Sequence, residues 1–350
     1  MGRRAAKLAG FIALLLLAVF VPFFANDYQT DLASVALVYA LFAISLDLAW
    51  GFTGILSLGH AAFFGLGAYT YGLIGVTFNF GGIVFLAWAA SALLPMILAL
   101  VVGYASSRAG TGDVYFALIS LAVTLILERV AFAWRPFTGG SDGLLNVPWP
   151  SIAFPGSEWY FDFDTPFAFY FLTLGFTVAG YLFARRLVAS PFGRVLVAIR
   201  ENRSRTEFLG FNVTRYRVTA YVISAGLGGI AGAISAPVRA GQIVAPEVFG
   251  VLLSVQVFIW VAVGGAGTLI GPAIAAIGLK FFESFLTGHF LETYLIIIGA
   301  VFVLIVLFFP DGLAGYLIQR WGVGYSGVGP AILKNGPGGS VPPAPDEARP

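Results

Sequence analysis

Residues 33–76 read ASVALVYALFAISLDLAWGFTGILSLGHAAFFGLGAYTYGLIGV, two long apolar runs joined by a short segment that is rich in glycine. Asp47 is the one charged residue in this stretch. An apolar run of about 20 residues is long enough for an α-helix to cross a bilayer, whose hydrocarbon core is about 30 Å thick. The stretch therefore predicts two membrane-spanning helices with an interruption between them.

The rest of the chain has the same apolar character. Of its 350 residues, 59% are hydrophobic, only 10% are charged and 44 are glycine. A soluble domain usually carries about a quarter charged residues, so this composition excludes an ordinary soluble globular protein. Strands of a membrane β-barrel alternate apolar and polar residues, whereas the runs here are continuous. The composition therefore predicts an all-α polytopic membrane protein. The absence of cysteine excludes disulfides, thiolate nucleophiles and cysteine-ligated metal sites.

Ten apolar runs are candidates for transmembrane helices. They cover residues 8–24, 33–50, 60–76, 83–104, 114–132, 167–184, 216–236, 249–263, 273–285 and 294–309. The first run follows three basic residues, which is also how a secretory signal peptide begins. It lacks a cleavage site of small residues at its end, and we therefore interpret it as a spanning helix. The sequence predicts about ten transmembrane helices in a domain over residues 1–320.

The distribution of charge predicts the side of the membrane on which each loop lies. Residues 185–217 contain eight Arg against two Glu, a net charge of +6, and the positive-inside rule places them in the cytoplasm. Residues 134–165 carry a net charge of −3 and many aromatic side chains, which predicts an extracytoplasmic loop. Ten alternating spans satisfy both assignments, with both termini cytoplasmic. Residues 321–350, with seven Gly and six Pro, are predicted to be a disordered cytoplasmic tail.

The arginine-rich segment contains the pattern of a capped amphipathic helix. Ser190 is a good N-cap, and Pro191 suits the first helical position because no donor is lost there. Phe192, Leu196 and Ile199 then share one face. Gly210 suits a left-handed C-cap, and the pattern predicts one helix of about 30 Å over residues 190–210.

Two interpretations of this predicted helix remain open. Glu201 and Arg205 stand four residues apart, a spacing that favours an ion pair within a helix. A basic loop that obeys the positive-inside rule and binds lipid headgroups is the simpler interpretation. A loop, however, needs neither a cap nor an apolar face, whereas a helix that docks on a cytoplasmic partner needs both.

Glycine interrupts the apolar runs before residue 61 and after residue 263. Small residues let helices pack closely in a membrane, and packing alone explains most of the glycines, including Gly228 and Gly232 in one predicted helix. The alternative is that broken segments expose backbone groups to a polar translocation path. On this hypothesis the path residues are Asp47, Gly51, Thr53, Gly54, Ser57, Gly59, His60, Gly264, Gly265 and Gly267.

Several classes of function have no support in the sequence. No Lys follows a Gly, so there is no phosphate-binding P-loop. His60 and His289 are predicted to face opposite sides of the membrane, which argues against a histidine zinc site. We therefore expect no metal, no catalytic residue and no nucleic-acid partner. An ion-coupled carrier would be expected to contain more intramembrane carboxylates than Asp47, Glu128 and Glu283, so the energy source is predicted to be another protein.

Three segments resemble the branched-chain amino acid ABC importer permeases, and most closely the longer of their two permease subunits. They are GFTGILSLGHAAFFGLGAYT at residues 51–70, SPFGRVLVAIREN at 190–202 followed by Leu209-Gly210, and VGGAGTLIGP at 263–272. These motifs are long and ordered, and the likeness extends over about residues 30–315.

The resemblance implies one subunit of a heteromeric importer in the inner membrane. Its other parts would be a second permease subunit, two ATPase subunits on the cytoplasmic face and an extracytoplasmic substrate-binding protein. The ATPase subunits would bind ATP, so the permease is expected to hold no cofactor and to be no enzyme. Residues 190–210 would be the coupling helix that docks on an ATPase subunit. The coupling residues on this interpretation are Arg194, Arg200, Glu201, Arg205, Glu207 and Gly210.

Two alternative functions stay open at this point. Ser204-Arg205 and Phe208 look more like the related urea permeases, whereas TGGSDGL at residues 138–144 looks like the amino-acid type. We expect branched-chain amino acids as the substrate, with urea or a short amide as the alternative. A stand-alone channel or ion-coupled carrier is a further alternative, and the capped cytoplasmic helix argues against it.

Overall fold

The computed structural model describes residues 2–78, 83–108, 112–153, 160–238 and 242–290, together with residues 296, 297, 299 and 300. Twelve α-helices lie within these ranges. They are α1 (Gly2–Phe24), α2 (Asp27–Thr53), α3 (Ala61–Phe78), α4 (Val84–Arg108), α5 (Asp113–Ala133), α6 (Arg135–Thr138), α7 (Pro166–Ala189), α8 (Pro191–Glu201), α9 (Arg203–Phe208), α10 (Val213–Val238), α11 (Val251–Gly264) and α12 (Ile270–His289). Seven of them, α2 to α5, α7, α10 and α12, are long and apolar enough to cross a membrane.

Nine of the ten apolar runs coincide with described helices, and the fold class is confirmed as polytopic and helical. The matching helices are α1 to α5, α7 and α10 to α12. Helix α11 is shorter than the seven helices of membrane-spanning length, with 14 residues. Only four residues of the tenth run, 294–309, are described, and the predicted tail, 321–350, lies outside the described residues.

Two helices, α2 and α10, form the centre of the bundle. They contact each other, and each packs against further helices: α7, α11 and α12 lie against α2, while α3 and α4 lie against α10. The apolar window of α2 is 83% buried and that of α10 is 72% buried, against 28% for α5. A helix that is apolar on all sides is expected to be enclosed by others, and α2 and α10 are enclosed in this way.

Glycine allows α10 to pack directly on the backbone of its neighbours. A Cβ on Gly232 would overlap the carbonyl of Phe64 in α3, and a Cβ on Gly229 would overlap that of Ser91 in α4. Because side chains are absent at these points, the helices approach more closely than larger residues would permit. The packing interpretation of these glycines therefore accounts for their positions.

The acidic loop between α6 and α7 contains a short hairpin that the sequence pattern did not predict. Strands β1 (Ser151–Ala153) and β2 (Tyr160–Asp162) pair antiparallel, with Ile152 opposite Phe161. Leu144 and Val244 exchange two backbone hydrogen bonds of 2.9 and 3.0 Å, which join this loop to the segment between α10 and α11. The start of the loop is therefore fixed to the segment between α10 and α11 by ordinary backbone pairing.

The prediction of one helix over residues 190–210 is wrong, because the segment forms two short helices, α8 and α9. Asn202 between them has φ −156° and ψ 101°, an extended conformation, and its side chain accepts a 2.8 Å hydrogen bond from the Arg205 N–H. Asn is a favoured N-cap, and it starts a new helix here instead of continuing the first. Since Glu201 and Arg205 are no longer on one helix, the i,i+4 pair predicted for them does not form.

Helix α7 separates two ends of the bundle that differ in charge. The acidic loop precedes it, and α8 and α9 follow it. The second end also holds the end of α2, where Arg200 contacts Gly51, the start of α5, where Arg217 pairs with Asp113, and the loop 265–269 between α11 and α12. We call it the arginine-rich end, because it carries the segment 185–217.

Candidate functional site

Asp47 is a fully buried carboxylate near the end of α2. Its Oδ1 accepts a 2.6 Å hydrogen bond from the Gly267 N–H, and its Oδ2 accepts a 2.8 Å hydrogen bond from the Leu269 N–H. A charge inside a membrane protein is costly unless it is paired or hydrogen-bonded, and backbone donors are strong partners for a carboxylate. Asp47 therefore fastens α2 to the loop 265–269.

The loop 265–269 turns sharply enough to bring three residues into the left-handed region. The φ angles are +90° at Gly265, +89° at Gly267 and +58° at Leu269. Glycine adopts this conformation freely, whereas Leu does so only at a cost. The Leu269 side chain is buried in the cluster that contains Leu196 of α8, and its N–H is held by Asp47, so both contacts keep this residue in its unusual conformation.

Arg200 reaches from α8 to the end of α2. Its guanidinium donates a hydrogen bond to the carbonyl of Gly51, one of the last carbonyls of α2, which have no partner within the helix. A cation at a helix C-terminus is also favoured by the helix dipole. Burial lowers the pKa of Arg200 from its ordinary value, while nearby Asp47 and Glu201 raise it. Arg200 therefore lies inside the junction of α8, α2 and the loop 265–269.

Two glycines leave the space that this junction needs. A Cβ on Gly51 would overlap the Asp47 carboxylate and the Gly267 nitrogen. A Cβ on Gly267 would lie 2.9 Å from Arg200 Nη1 and 3.0 Å from the Gly51 carbonyl oxygen. The four residues Asp47, Gly51, Arg200 and Gly267 therefore form one tightly packed cluster, which we call the junction cluster.

The apolar face predicted for α8 packs against the bundle. Leu196 and Ile199 are buried, at 0% and 4% exposure, and Leu196 belongs to a cluster with Ile44 and Phe52 of α2. Ser190 caps α8 as predicted, since its side chain accepts a hydrogen bond from the Gly193 N–H. The face of α8 that the docking interpretation gave to a partner is therefore used for attachment to the bundle itself.

Helix α9 and the turn after it carry apolar side chains that point away from the bundle. Phe208 is 92% exposed and Leu209 is 71% exposed. Gly210 has φ +87°, and its N–H donates a 2.9 Å hydrogen bond to the Glu207 carbonyl. The left-handed residue predicted at position 210 is therefore present, and it ends α9 directly behind the two exposed side chains.

The interruption between α2 and α3 is held in place by hydroxyl groups from other helices. The Gly59 N–H donates to Ser120 Oγ at 3.2 Å, and Thr124 Oγ1 donates to the Gly59 carbonyl at 2.8 Å. The Ala61 N–H donates to Ser254 Oγ at 3.1 Å. Non-helical backbone is tolerated at membrane depth only where other parts of the protein satisfy it, and α5 and α11 do so here.

His60 lies fully buried at the start of α3. Its Nε2 lies 2.9 Å from Ser45 Oγ of α2, and its ring stacks on Phe42 with centroids 5.4 Å apart. Nδ1 has no hydrogen-bond partner among the described residues. The path role of His60 stays a prediction.

The predicted path residues fall into two groups in the structure. Asp47, Gly51 and Gly267 meet in the junction cluster, with Gly54, Gly264 and Gly265 close to it. Ser57, Gly59 and His60 lie deeper, where Ser57 Oγ is 3.3 Å from the Tyr221 hydroxyl of α10. Thr53 Oγ1 bonds within its own helix to the Ala49 carbonyl. Each of these hydrogen bonds joins two parts of the protein itself, and passage of a substrate beside these residues remains a prediction.

The predicted coupling residues also divide into two groups. Arg194, Glu201, Arg205, Glu207 and Gly210 are exposed at the arginine-rich end, whereas Arg200 is turned inward. Sequence reasoning missed the hydroxyl groups that support the interruption, Ser120, Thr124 and Ser254. Their only signal is a polar residue within an apolar run, which does not reveal its partner.

Comparisons with known proteins assign the chain to a family. Residues 28–306 match the family described as "Branched-chain amino acid transport system / permease component". No solved structure matches the chain significantly.

Three relatives indicate the breadth of this similarity. The high-affinity branched-chain amino acid transport system permease protein LivM of Escherichia coli (strain K12) is 29% identical, over 86% of this chain and 73% of the relative. The probable branched-chain amino acid transport permease protein LivM of Methanocaldococcus jannaschii is 27% identical, over 71% of this chain and 79% of the relative. The ribose import permease protein RbsC of Haemophilus influenzae is 23% identical, over 90% of this chain and 95% of the relative. The chain, a multi-pass helical membrane protein with its junction cluster at the arginine-rich end, belongs to the family of permease components of branched-chain amino acid transport systems.

Proposed function

We propose that this permease imports branched-chain amino acids across the inner membrane, with energy from ATP that its partners hydrolyse. The complex consists of this chain, a second permease subunit, two ATPase subunits on the cytoplasmic face and an extracytoplasmic binding protein. ATP is bound by the ATPase subunits, so the permease holds no cofactor and catalyses no reaction itself. The family match and the similarity to relatives named for branched-chain amino acid transport support this proposal.

The observation that carries the proposal is an exposed apolar tip at the arginine-rich end. The tip consists of Phe208 and Leu209, and we call it the docking tip; both side chains are mostly exposed. Arg205 and Glu207 are exposed beside it. An aromatic anchor within a charged rim is typical of the centre of a protein interface. The docking tip therefore suits an apolar groove on an ATPase subunit.

The attachment of the tip also favours a partner that moves. Helix α9 is only six residues long and ends at Phe208, while α8 before it is packed on the bundle through Leu196 and Ile199. A force applied to Phe208 is therefore passed through α9 to α8, and from α8 to the membrane domain. This is the mechanical arrangement that an ATP-driven importer requires.

Co-purification of the whole complex tests this role of the docking tip. A double variant, Phe208→Ser with Leu209→Ser, is expected to reduce the ATPase subunits bound per permease by at least about tenfold, since two interface anchors are lost. The second permease subunit should remain bound at the wild-type level. Asn212→Ser is the matched control, because it alters a neighbouring exposed residue and keeps an oxygen that caps α10.

The outcomes separate a protein partner from the lipid surface. An unchanged ATPase content in the double variant would contradict docking through this tip. If uptake by the wild type depends on anionic lipid and uptake by the double variant does not, while the ATPase content is unchanged, the tip contacts lipid headgroups instead. Uptake of labelled leucine by the reconstituted complex, with unlabelled urea as the competitor, tests the substrate: leucine should be accumulated and urea should not compete.

A further inference from the structure

We propose that Arg200 is the positioning residue that links the movement of α8 to the loop 265–269 of the membrane domain. This inference rests on the proposed function, because it concerns how a force from an ATPase subunit reaches the membrane helices. It gives Arg200 an internal role, different from contact with the partner that the sequence resemblance implied.

Arg200 connects three elements of the fold. It belongs to α8, its guanidinium donates to the Gly51 carbonyl of α2, and its Nη1 lies within 2.9 Å of the position that a Cβ on Gly267 would take. Its stem also passes Gly54, where a Cβ would lie 3.7 Å from Arg200 Cγ. One side chain therefore connects the coupling segment with two separate parts of the membrane domain.

The Asp47 carboxylate supplies the negative charge of the junction cluster. Asp47 holds the N–H groups of Gly267 and Leu269 and lies close enough to Arg200 for the two charges to attract each other. If α8 moved away from the bundle, Asp47 would lose its attraction to the Arg200 guanidinium, and the Gly51 carbonyl would lose its hydrogen-bond donor. A buried carboxylate and an orphan carbonyl are both unfavourable, so the cluster favours one discrete position of α8.

The junction cluster has no room for side chains at positions 51 and 267. Side chains at positions 51 or 267 would overlap their neighbours, as described above. Tightly packed groups transmit a displacement instead of absorbing it, because interiors have low compressibility. A shift of α8 is therefore expected to move loop 265–269, and with it the adjoining ends of α11 and α12.

The test compares ATPase binding with the coupling of ATP hydrolysis to uptake in the complete reconstituted complex. Arg200→Met keeps a long stem but removes the donors and the charge. We expect the bound ATPase subunits to stay within about twofold of the wild type, because the docking tip is unaltered, while leucine uptake per ATP hydrolysed falls at least about tenfold. Arg215→Met is the matched control, because Arg215 is an exposed arginine of the same segment 185–217 and does not belong to the junction cluster.

A second variant approaches the same contact from the membrane domain. Gly267→Ala places a methyl group against Arg200 Nη1 and the Gly51 carbonyl, at a backbone angle of φ +89°. It is expected to show the same loss of uptake per ATP with the ATPase still bound. Arg200→Lys, which retains the charge and one direct donor, should recover part of the uptake per ATP that Arg200→Met loses.

Each outcome has one meaning for the proposal. Wild-type uptake per ATP in Arg200→Met or in Gly267→Ala would overturn it, and so would loss of the ATPase from Arg200→Met. If Arg200→Met is poorly expressed, Gly267→Ala serves in its place, and a wild-type ratio of uptake to ATP hydrolysed in that variant overturns the proposal. Failure of the docking tip shows in the double variant at Phe208 and Leu209, so the two proposals fail separately.

Discussion

At the scale of single residues, Asp47 illustrates how a charge inside a membrane protein can serve the structure. Its two oxygens accept from the N–H groups of Gly267 and Leu269, and Arg200 lies beside them. The sequence showed that Asp47 is the isolated charge of its run, which correctly marked it as unusual. The partners are 220 and 222 residues away in sequence, and no local pattern could have identified them.

A substitution at Asp47 tests how much its two hydrogen bonds contribute to stability. Asp47→Asn keeps the shape of the side chain but presents an amide NH₂ to one of the two backbone donors. We expect a loss of about 2 kcal/mol in stability, because one donor is left unsatisfied and the other loses a charged acceptor. Thermal unfolding of the purified permease, followed by size-exclusion chromatography, measures the change.

Asp27→Asn provides the control for this measurement. Asp27 is an exposed carboxylate at the start of the same helix. Its replacement should change stability by no more than about 0.5 kcal/mol, since it removes only an exposed charge near a helix N-terminus. Equal effects of the two substitutions would contradict a special role for Asp47.

At the scale of elements, the coupling segment shows which patterns predict structure and which do not. The 3.6-residue spacing of Leu196 with its neighbours predicted α8, and Ser190 predicted its start, because both signals are local. The break at Asn202 was missed because an Asn within a helical pattern can either continue the helix or cap a new one. Packing of α8 on the bundle decides between them, and that packing is not visible in sequence.

The cap at Asn202 leads to a prediction about the orientation of α9. Asn202→Ala removes the side chain that accepts from the Arg205 N–H, at a cost of about 1 kcal/mol to α9. Ala also favours a continuous helix, so α8 and α9 should merge and turn the docking tip away from its position. ATPase co-purification is expected to fall, whereas Asn202→Asp, which keeps the cap, should behave like the wild type. Equal ATPase binding in both variants would show that the break has no part in docking.

At the scale of the whole molecule, the central pair α2 and α10 determines how stability is distributed. Both helices are largely enclosed, while α9 touches few other elements. The ten apolar runs predicted the helical membrane fold well, because span length and hydropathy are properties of single segments. The pairing of α2 with α10 was not predictable, since it depends on contacts between distant helices such as that of Gly228 with Ser45.

Hydrogen exchange measured by mass spectrometry can test this distribution. Backbone amides in α2 and α10 are expected to exchange slowest and those in α9 fastest, because local opening is easiest where few buried contacts exist. Gly232→Val should accelerate exchange in α3 and α10, since its side chain would strike the Phe64 backbone. Gly175→Val on α7, where a Cβ meets nothing within 4 Å, is the control. Uniform protection across α2, α9 and α10 would contradict the distribution.

The junction cluster also restricts how this chain can diverge. The spaces at positions 51 and 267 exist only as long as both residues are glycine, and the Arg200 guanidinium occupies what remains. A homologue with a larger residue than glycine at position 267 would need a shorter residue than arginine at position 200. In an alignment of descendants, positions 47, 51, 200 and 267 are therefore expected to change together or not at all, as residues in direct contact do.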